Sequence, residues 1–240
     1  MVFSFFLCTV SVFGYTVSMN ASPKLSAASK MPCKSWSLPA WKTCPGARKA
    51  DGSAVDACDG CYALQGRYLF GAVKAVREHN MTDWQNSDWT AAMVKAIGRS
   101  KFFRWFDSGD IYTPELARKI LEVVKQTPNC QHWIPTRAYK DISILPILWR
   151  IHDEPNAVVR MSSDSTSGEV LKGFSDVNST IIESAEDFKP RKGAALCRSY
   201  NRGGKCGPCR ACWSDKVETI YYPLHGKKAS RKALGEALAV

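Results

Sequence analysis

The stretch KFFRWFDSGDIYTPELARKILEVVKQTPNCQHWIPTR, residues 101–137, holds one complete strand–helix–strand unit. KFFRWF (101–106) is a dense aromatic run and reads as a strand, since aromatic side chains suit a pleated, half-buried surface. TPELARKILEVVKQT (113–127) reads as a helix. Thr113 caps it, Pro114 occupies its first turn, and Leu116, Ile120, Val123 and Val124 share one face. HWIPTR (132–137) is the next strand. Two strands joined through a helix in this way argue for a parallel pair.

The same alternation extends in both directions. Lys34–Leu38 reads as a short strand before the unit. A helix is expected in YALQGRYLFGAVKAVREHN after Cys61, and a second in SDWTAAMVKAIGRS, capped by Ser87 or Asp88 and ending near Gly98. NAVVRMSS (156–163), STIIES (179–184) and VETIYY (217–222) read as later strands. DISILPILWRIH (141–152) is helix-like, with a kink or an early end expected at Pro146. Strands alternating with helices predict an α/β domain on a parallel sheet, built as a partial barrel. In such folds the chemistry gathers in loops after the carboxyl ends of strands.

The chain has 240 residues, 45% hydrophobic and 23% charged, enough for a filled core and unlike a disordered chain. Its formal charge of +11 points to an anionic partner: nucleic acid or a phosphate-bearing ligand, or else an anionic cluster held inside the protein. Simple solubility is the plainer reading of the same charge. The organisation expected is an N-terminal extension over 1–32, a cysteine-rich α/β domain over 33–225 and a basic tail over 226–240. MVFSFFLCTVSVFGYTVS is apolar but lacks a basic leader, and Ser, Thr and Gly break it as a membrane span. Met19 opens a plausible start of its own. Residues 1–18 are therefore read as an upstream extension or misassigned start, with a signal segment as the alternative. The domain itself is expected to be cytoplasmic and without a membrane span.

Ten cysteines stand at 8, 33, 44, 58, 61, 130, 197, 206, 209 and 212. Disulfide frameworks belong mostly to small, loop-rich secreted domains, whereas CxxC and CxxCxxC clusters suit metal. LCRSYNRGGKCGPCRACW carries Cys197, Cys206, Cys209 and Cys212. The tight CxxCxxC can wrap three corners of an iron–sulfur cubane, and a four-thiolate zinc site is the alternative. No Asp or Glu occurs from 188 to 214, while seven Lys and Arg do, and cations near an anionic cluster stabilise it. The same charges would also serve a nucleic-acid face around a structural metal. CPGARKADGSAVDACDGCYA offers three cysteines, Cys44, Cys58 and Cys61. A cubane held by three thiolates keeps one iron open, so this set suggests reactivity, and a fourth ligand would make it a closed structural site. In RWFDSGDIYTPE, Asp107 and Asp110 fall in a strand-end loop, and Gly109 allows close backbone approach to a ligand. An ordinary turn reads DSGD equally well.

In their order along residues 33–225, these features resemble the phage gene product 88 family, itself similar to radical S-adenosylmethionine (SAM) proteins. That resemblance implies a partial (β/α)6 barrel, with Cys44, Cys58 and Cys61 holding a [4Fe-4S] cluster and Ser108, Gly109 and Asp110 beside the methionine part of SAM. Cys197, Cys206, Cys209 and Cys212 would hold a second, auxiliary cluster or the only tightly bound one. It implies one-electron cleavage of SAM on an unknown substrate in the host cytosol. The family's usual motif has three residues between its first two cysteines; here thirteen separate Cys44 from Cys58. The alternative functions are a non-catalytic [4Fe-4S] protein, or a zinc protein, binding nucleic acid or a host protein through its basic surface.

Overall fold

A computed structural model describes residues 21–173 and 177–224. Its centre is a seven-stranded, open sheet in which every pairing is parallel: β1 (Ser35–Trp36), β2 (Phe102–Trp105), β3 (Gln131–Thr136), β4 (Ala157–Ser162), β5 (Asn178–Ile182), β6 (Ala194–Leu196) and β7 (Thr219–Pro223). The spatial order is β1-β2-β3-β4-β5-β7-β6, so the chain passes over one place and returns to fill it. Four α-helices lie among the first four strands: α1 (Gly71–Asp83), α2 (Trp89–Ile97), α3 (Pro114–Gln126) and α4 (Leu145–His152).

Alternation along each strand divides the residues between two faces. Phe103 and Trp105 of β2, Ile134 of β3, and Val159 and Met161 of β4 join Met93 of α2, Ile120 of α3 and Leu148 of α4 in the main core. Each large apolar side chain buried there contributes about 1.5–3 kcal/mol. Thr113 caps α3 as expected, its side chain accepting from the Leu116 amide at 3.2 Å. His132 is buried on this face, with Trp105 Nε1 donating to its Nδ1 at 3.2 Å and Thr127 Oγ1 at 2.8 Å from its Nε2. The opposite face carries Phe102, Arg104, Trp133 and Arg160. Its cover is the cysteine-rich C-terminal segment, whose Trp213 packs edge-on against Phe102 and Trp133 and donates to the Phe103 carbonyl at 2.9 Å.

The structure differs from the sequence reading in four places. After β4 the connections are loops and short 3-10 turns among the described residues, so six βα units are not present. β6 was not anticipated. YALQGRYLF forms two 3-10 turns, Tyr62–Leu64 and Gly66–Leu69, and α1 starts only at Gly71. Pro146 sits in the first turn of α4, where a missing N–H costs nothing, and no kink is needed. Residues 21–31 are also fastened to the domain. Asn80 and Lys24 exchange side-chain-to-backbone bonds at 2.9 Å, Asp88 accepts from the Ala21 amide, and Ser26 bridges to Ser35. Residues 1–20 of the extension expected at 1–32, and the whole tail expected at 226–240, lie outside the described residues. No helix among the described residues is long and apolar enough to cross a membrane.

Candidate functional site

The carboxyl ends of β1, β2 and β3 converge on the turn Asp107-Ser108-Gly109-Asp110. Asp107 pairs with Arg77 of α1 at 3.2 Å, accepts from Ser37 Oγ, and offers its carbonyl to the Tyr62 hydroxyl at 2.7 Å. Ser108 Oγ donates to the Leu38 carbonyl at 2.8 Å and accepts from Arg77 Nε at 2.5 Å. Gly109 has φ +74°, and a Cβ there would meet Leu38 Cβ at 2.6 Å and Thr43 Oγ1 at 2.7 Å. Asp110 is buried and accepts from Thr136 Oγ1 at 2.6 Å and from the amides of Arg137 and Ile111 at 2.8 Å. Burial pushes its carboxyl up to about 6 despite those donors. The three residues assigned to a cofactor by resemblance thus have protein partners. The turn clamps the 37–46 loop to the strand ends.

That loop carries the first cysteines. Gly46 lies against Arg137, whose carbonyl and Cβ leave no room for a side chain. Lys140 Nζ donates to the Gly46 carbonyl at 2.8 Å and pairs with Asp164 at 2.5 Å, and the Ala57 amide donates to the Asp164 carbonyl at 2.8 Å. These contacts bring Cys44, Cys58 and Cys61 into one electrostatic neighbourhood over β2, β3 and β4. Burial, with the Asp110 carboxylate and the other two thiols adding to it, pushes Cys44 up to about 12. Burial also raises Cys58, against the pull of Arg137. All three are half-buried free thiols.

The second set lies on the sheet face that the helices leave uncovered. Cys206 is influenced by Cys197 and Cys209, and Cys212 by Cys197, so the four form one group. Burial raises both Cys206 and Cys212; Lys30 opposes it at the first, Tyr222 and Arg160 at the second. The Cys212 thiol stands 3.3 Å from the Tyr222 hydroxyl. Arg160, in the centre of β4, is fully buried with no carboxylate partner. Its Nη atoms donate to the carbonyls of Asn178, Val217, Glu218, Ala211 and Ser214. Arg104 Nε, Arg160 Nε and Arg210 Nε are buried donors without a partner. Unused cationic donors around four thiols suit an anionic group.

Cys33 joins this surrounding, a placement the sequence did not suggest. It feels Arg104, Cys206 and Arg210, and the Cys206 amide donates to the Lys30 carbonyl at 2.8 Å. Burial pushes its thiol up to about 11. Arg104, Arg160 and Tyr222 were likewise missed. The available signal was an arginine at the centre of each of two otherwise apolar strands, FFRW and AVVRMS. Among the described residues, no three His, Cys, Asp or Glu side chains converge tightly enough to hold a single metal ion. Neither cysteine set is a preformed one-ion site.

A family model described as gene product 88 matches residues 13–215. No curated protein and no solved structure matches the chain.

Proposed function

Because the chain belongs to the gene product 88 family, whose name carries no chemistry, we propose from its own residues that it is an iron–sulfur protein. Cys44, Cys58 and Cys61 would hold a [4Fe-4S] cluster, and Cys197, Cys206, Cys209 and Cys212 a second. The observation that carries this reading is the gathering of three half-buried thiols after β1, at the carboxyl ends of a parallel sheet. In a cubane each thiolate binds its own iron, so the sulfurs surround the group without meeting at one point. Zinc would instead draw the same donors to one ion, and metal analysis separates the two. When bound, a cluster with one open iron supplies a single electron to a ligand such as SAM. The chain's own part is to hold the loop: Gly46 and Lys140 fix Cys44, and Asp107 fixes Tyr62 beside Cys61. In this reading the parallel strands β1 to β4 and their helices correspond to the first units of the partial barrel that the family resemblance implies.

A second reading, an iron–sulfur protein that does not cleave SAM, is favoured by one observation. Ser108 Oγ, the Gly109 Cα and the Asp110 carboxylate are all engaged by protein atoms. The test is purification without oxygen, followed by iron and sulfide analysis and electron paramagnetic resonance. Both readings expect iron with equimolar sulfide; a zinc-loaded, iron-free protein ends them. Cys58→Ser should remove the first cluster's signal and spare the second. SAM added to the reduced protein separates the two: a perturbed signal with 5′-deoxyadenosine supports cleavage, and an unchanged signal supports the second reading.

A further inference from the structure

Six large hydrophobic residues are exposed among those described, and four of them fall within nine positions: Tyr62 at 49%, Leu64 at 44%, Leu69 at 51% and Phe70 at 61%. Tyr62, Leu64 and Leu69 lie in the two 3-10 turns between Cys61 and α1, and Phe70 joins the second turn to that helix. A fifth, Tyr200 at 39%, lies across from them in the C-terminal segment, near enough for Tyr62 to act on it electrostatically. Solvent-facing aromatic and aliphatic groups are thus concentrated on one rim, between the two cysteine sets. Scattered single residues would need no explanation, but a group of this kind marks a contact surface.

The charges beside the rim say what kind of partner it takes. Arg67 lies inside the exposed stretch, and Lys74 is in the first turn of α1. Arg198 and Arg202 flank Tyr200, with Lys205 close behind. All five are exposed, and none takes part in the ion pairs of the described residues. They add to a chain of net charge +11 whose segment 188–214 contains no carboxylate side chain. A strip of unneutralised cations alternating with exposed rings matches a polyanion that also has flat faces to stack. A double helix keeps its bases stacked inside and offers the rings nothing.

We propose that this rim binds single-stranded nucleic acid, with Tyr62, Phe70 and Tyr200 as stacking faces and Arg67, Lys74 and Arg198 on the phosphates. The binding stands whether or not the clusters do.

The test is fluorescence anisotropy on the full chain, using labelled RNA and DNA single strands of about 16 nucleotides, the matching duplex, and polyglutamate as competitor. Saturable binding to the single strand is expected, with affinity falling as salt rises by a log–log slope of about −0.7 for each phosphate contacted. Phe70→Ala and Tyr200→Ala should each weaken it by about 5- to 100-fold, while Tyr200→Phe, which keeps the ring, retains it. Iron content should be unchanged in all three variants, and the unfolding midpoint in Phe70→Ala, whose side chain is 61% exposed, and in Tyr200→Phe, which keeps the ring and its contact with Lys30. The proposal is overturned by absence of saturable binding at low salt, by duplex binding as tight as single-strand binding, or by alanine variants that bind like the parent. Displacement by polyglutamate at equal charge would overturn it in favour of an acidic polypeptide partner. Iron and sulfide analysis of the same sample reads the cluster assignment separately.

Discussion

Two residues show how far local chemistry reaches. His132 is wholly buried between Trp105 and Thr127, and burial pushes its imidazole down to about 4 from 6.5. As pH falls, the unfolded chain takes up this proton first. The contribution to stability is therefore complete above about pH 6.5 and is lost progressively towards pH 4, on the order of 3 kcal/mol. Urea unfolding between pH 4 and 7 should show that decline, and His132→Gln should flatten it; an unchanged slope would exclude the histidine as its source. Gly109 is the second. Its positive φ and its approach to Leu38 and Thr43 make Gly109→Ala costly, by about 2–4 kcal/mol. Thermal unfolding should register that loss with or without any cofactor, because the close neighbour is the protein's own loop. The sequence suggested a close approach to the backbone at Gly109, that of a ligand. It could not show which atoms come close, since the Leu38–Thr43 loop lies some seventy positions earlier.

At the scale of elements, the legible parts were those with strong periodicity or plain punctuation. The helix at Pro114–Gln126 and the strands at Phe102–Trp105, Gln131–Thr136 and Ala157–Ser162 appear within a residue or two of their expected positions. β6 was invisible because Ala-Ala-Leu has neither alternation nor bulk, and it exists only by pairing with β7. The start of α1 was misplaced because Leu64, Leu69 and Phe70 imitate a helical apolar stripe while facing solvent. Of the site, the cysteine grouping could be read from spacing. The arginines behind it could not, because a lone charge in a strand ordinarily points to water. Arg160 holds the 211–218 loop, and so Cys212, through four carbonyl acceptors, those of Ala211, Ser214, Val217 and Glu218. Arg160→Met should cost about 3 kcal/mol or more and raise amide hydrogen exchange in 211–218 above that elsewhere. Uniform exchange across the chain would show that the guanidinium does not hold this loop.

For the whole molecule, cysteines raised by burial tie metal loading to acidity. In the proposed clusters Cys44, Cys58, Cys206 and Cys212 would each lose a proton to bind iron, and burial raises all four thiols. Iron retained against a fixed chelator should therefore rise steadily with pH from 6 to 9, releasing protons as it binds. A flat response would mean that these thiols do not ligate. Chelation should also lower the unfolding midpoint, since a group that binds only the folded state stabilises it. The strand order has a consequence of another kind. β7, the last of the described strands to leave the ribosome, inserts between β5 and β6, which do not pair with each other. A nascent chain stalled before residue 219 keeps the first five strands but leaves β5 with a bare edge and β6 without a neighbour. The segment bearing Cys206, Cys209 and Cys212 lies just upstream of that strand. Its cysteines are thus synthesised before the sheet that positions them can close, so the cluster proposed there would be assembled only after that strand has been made.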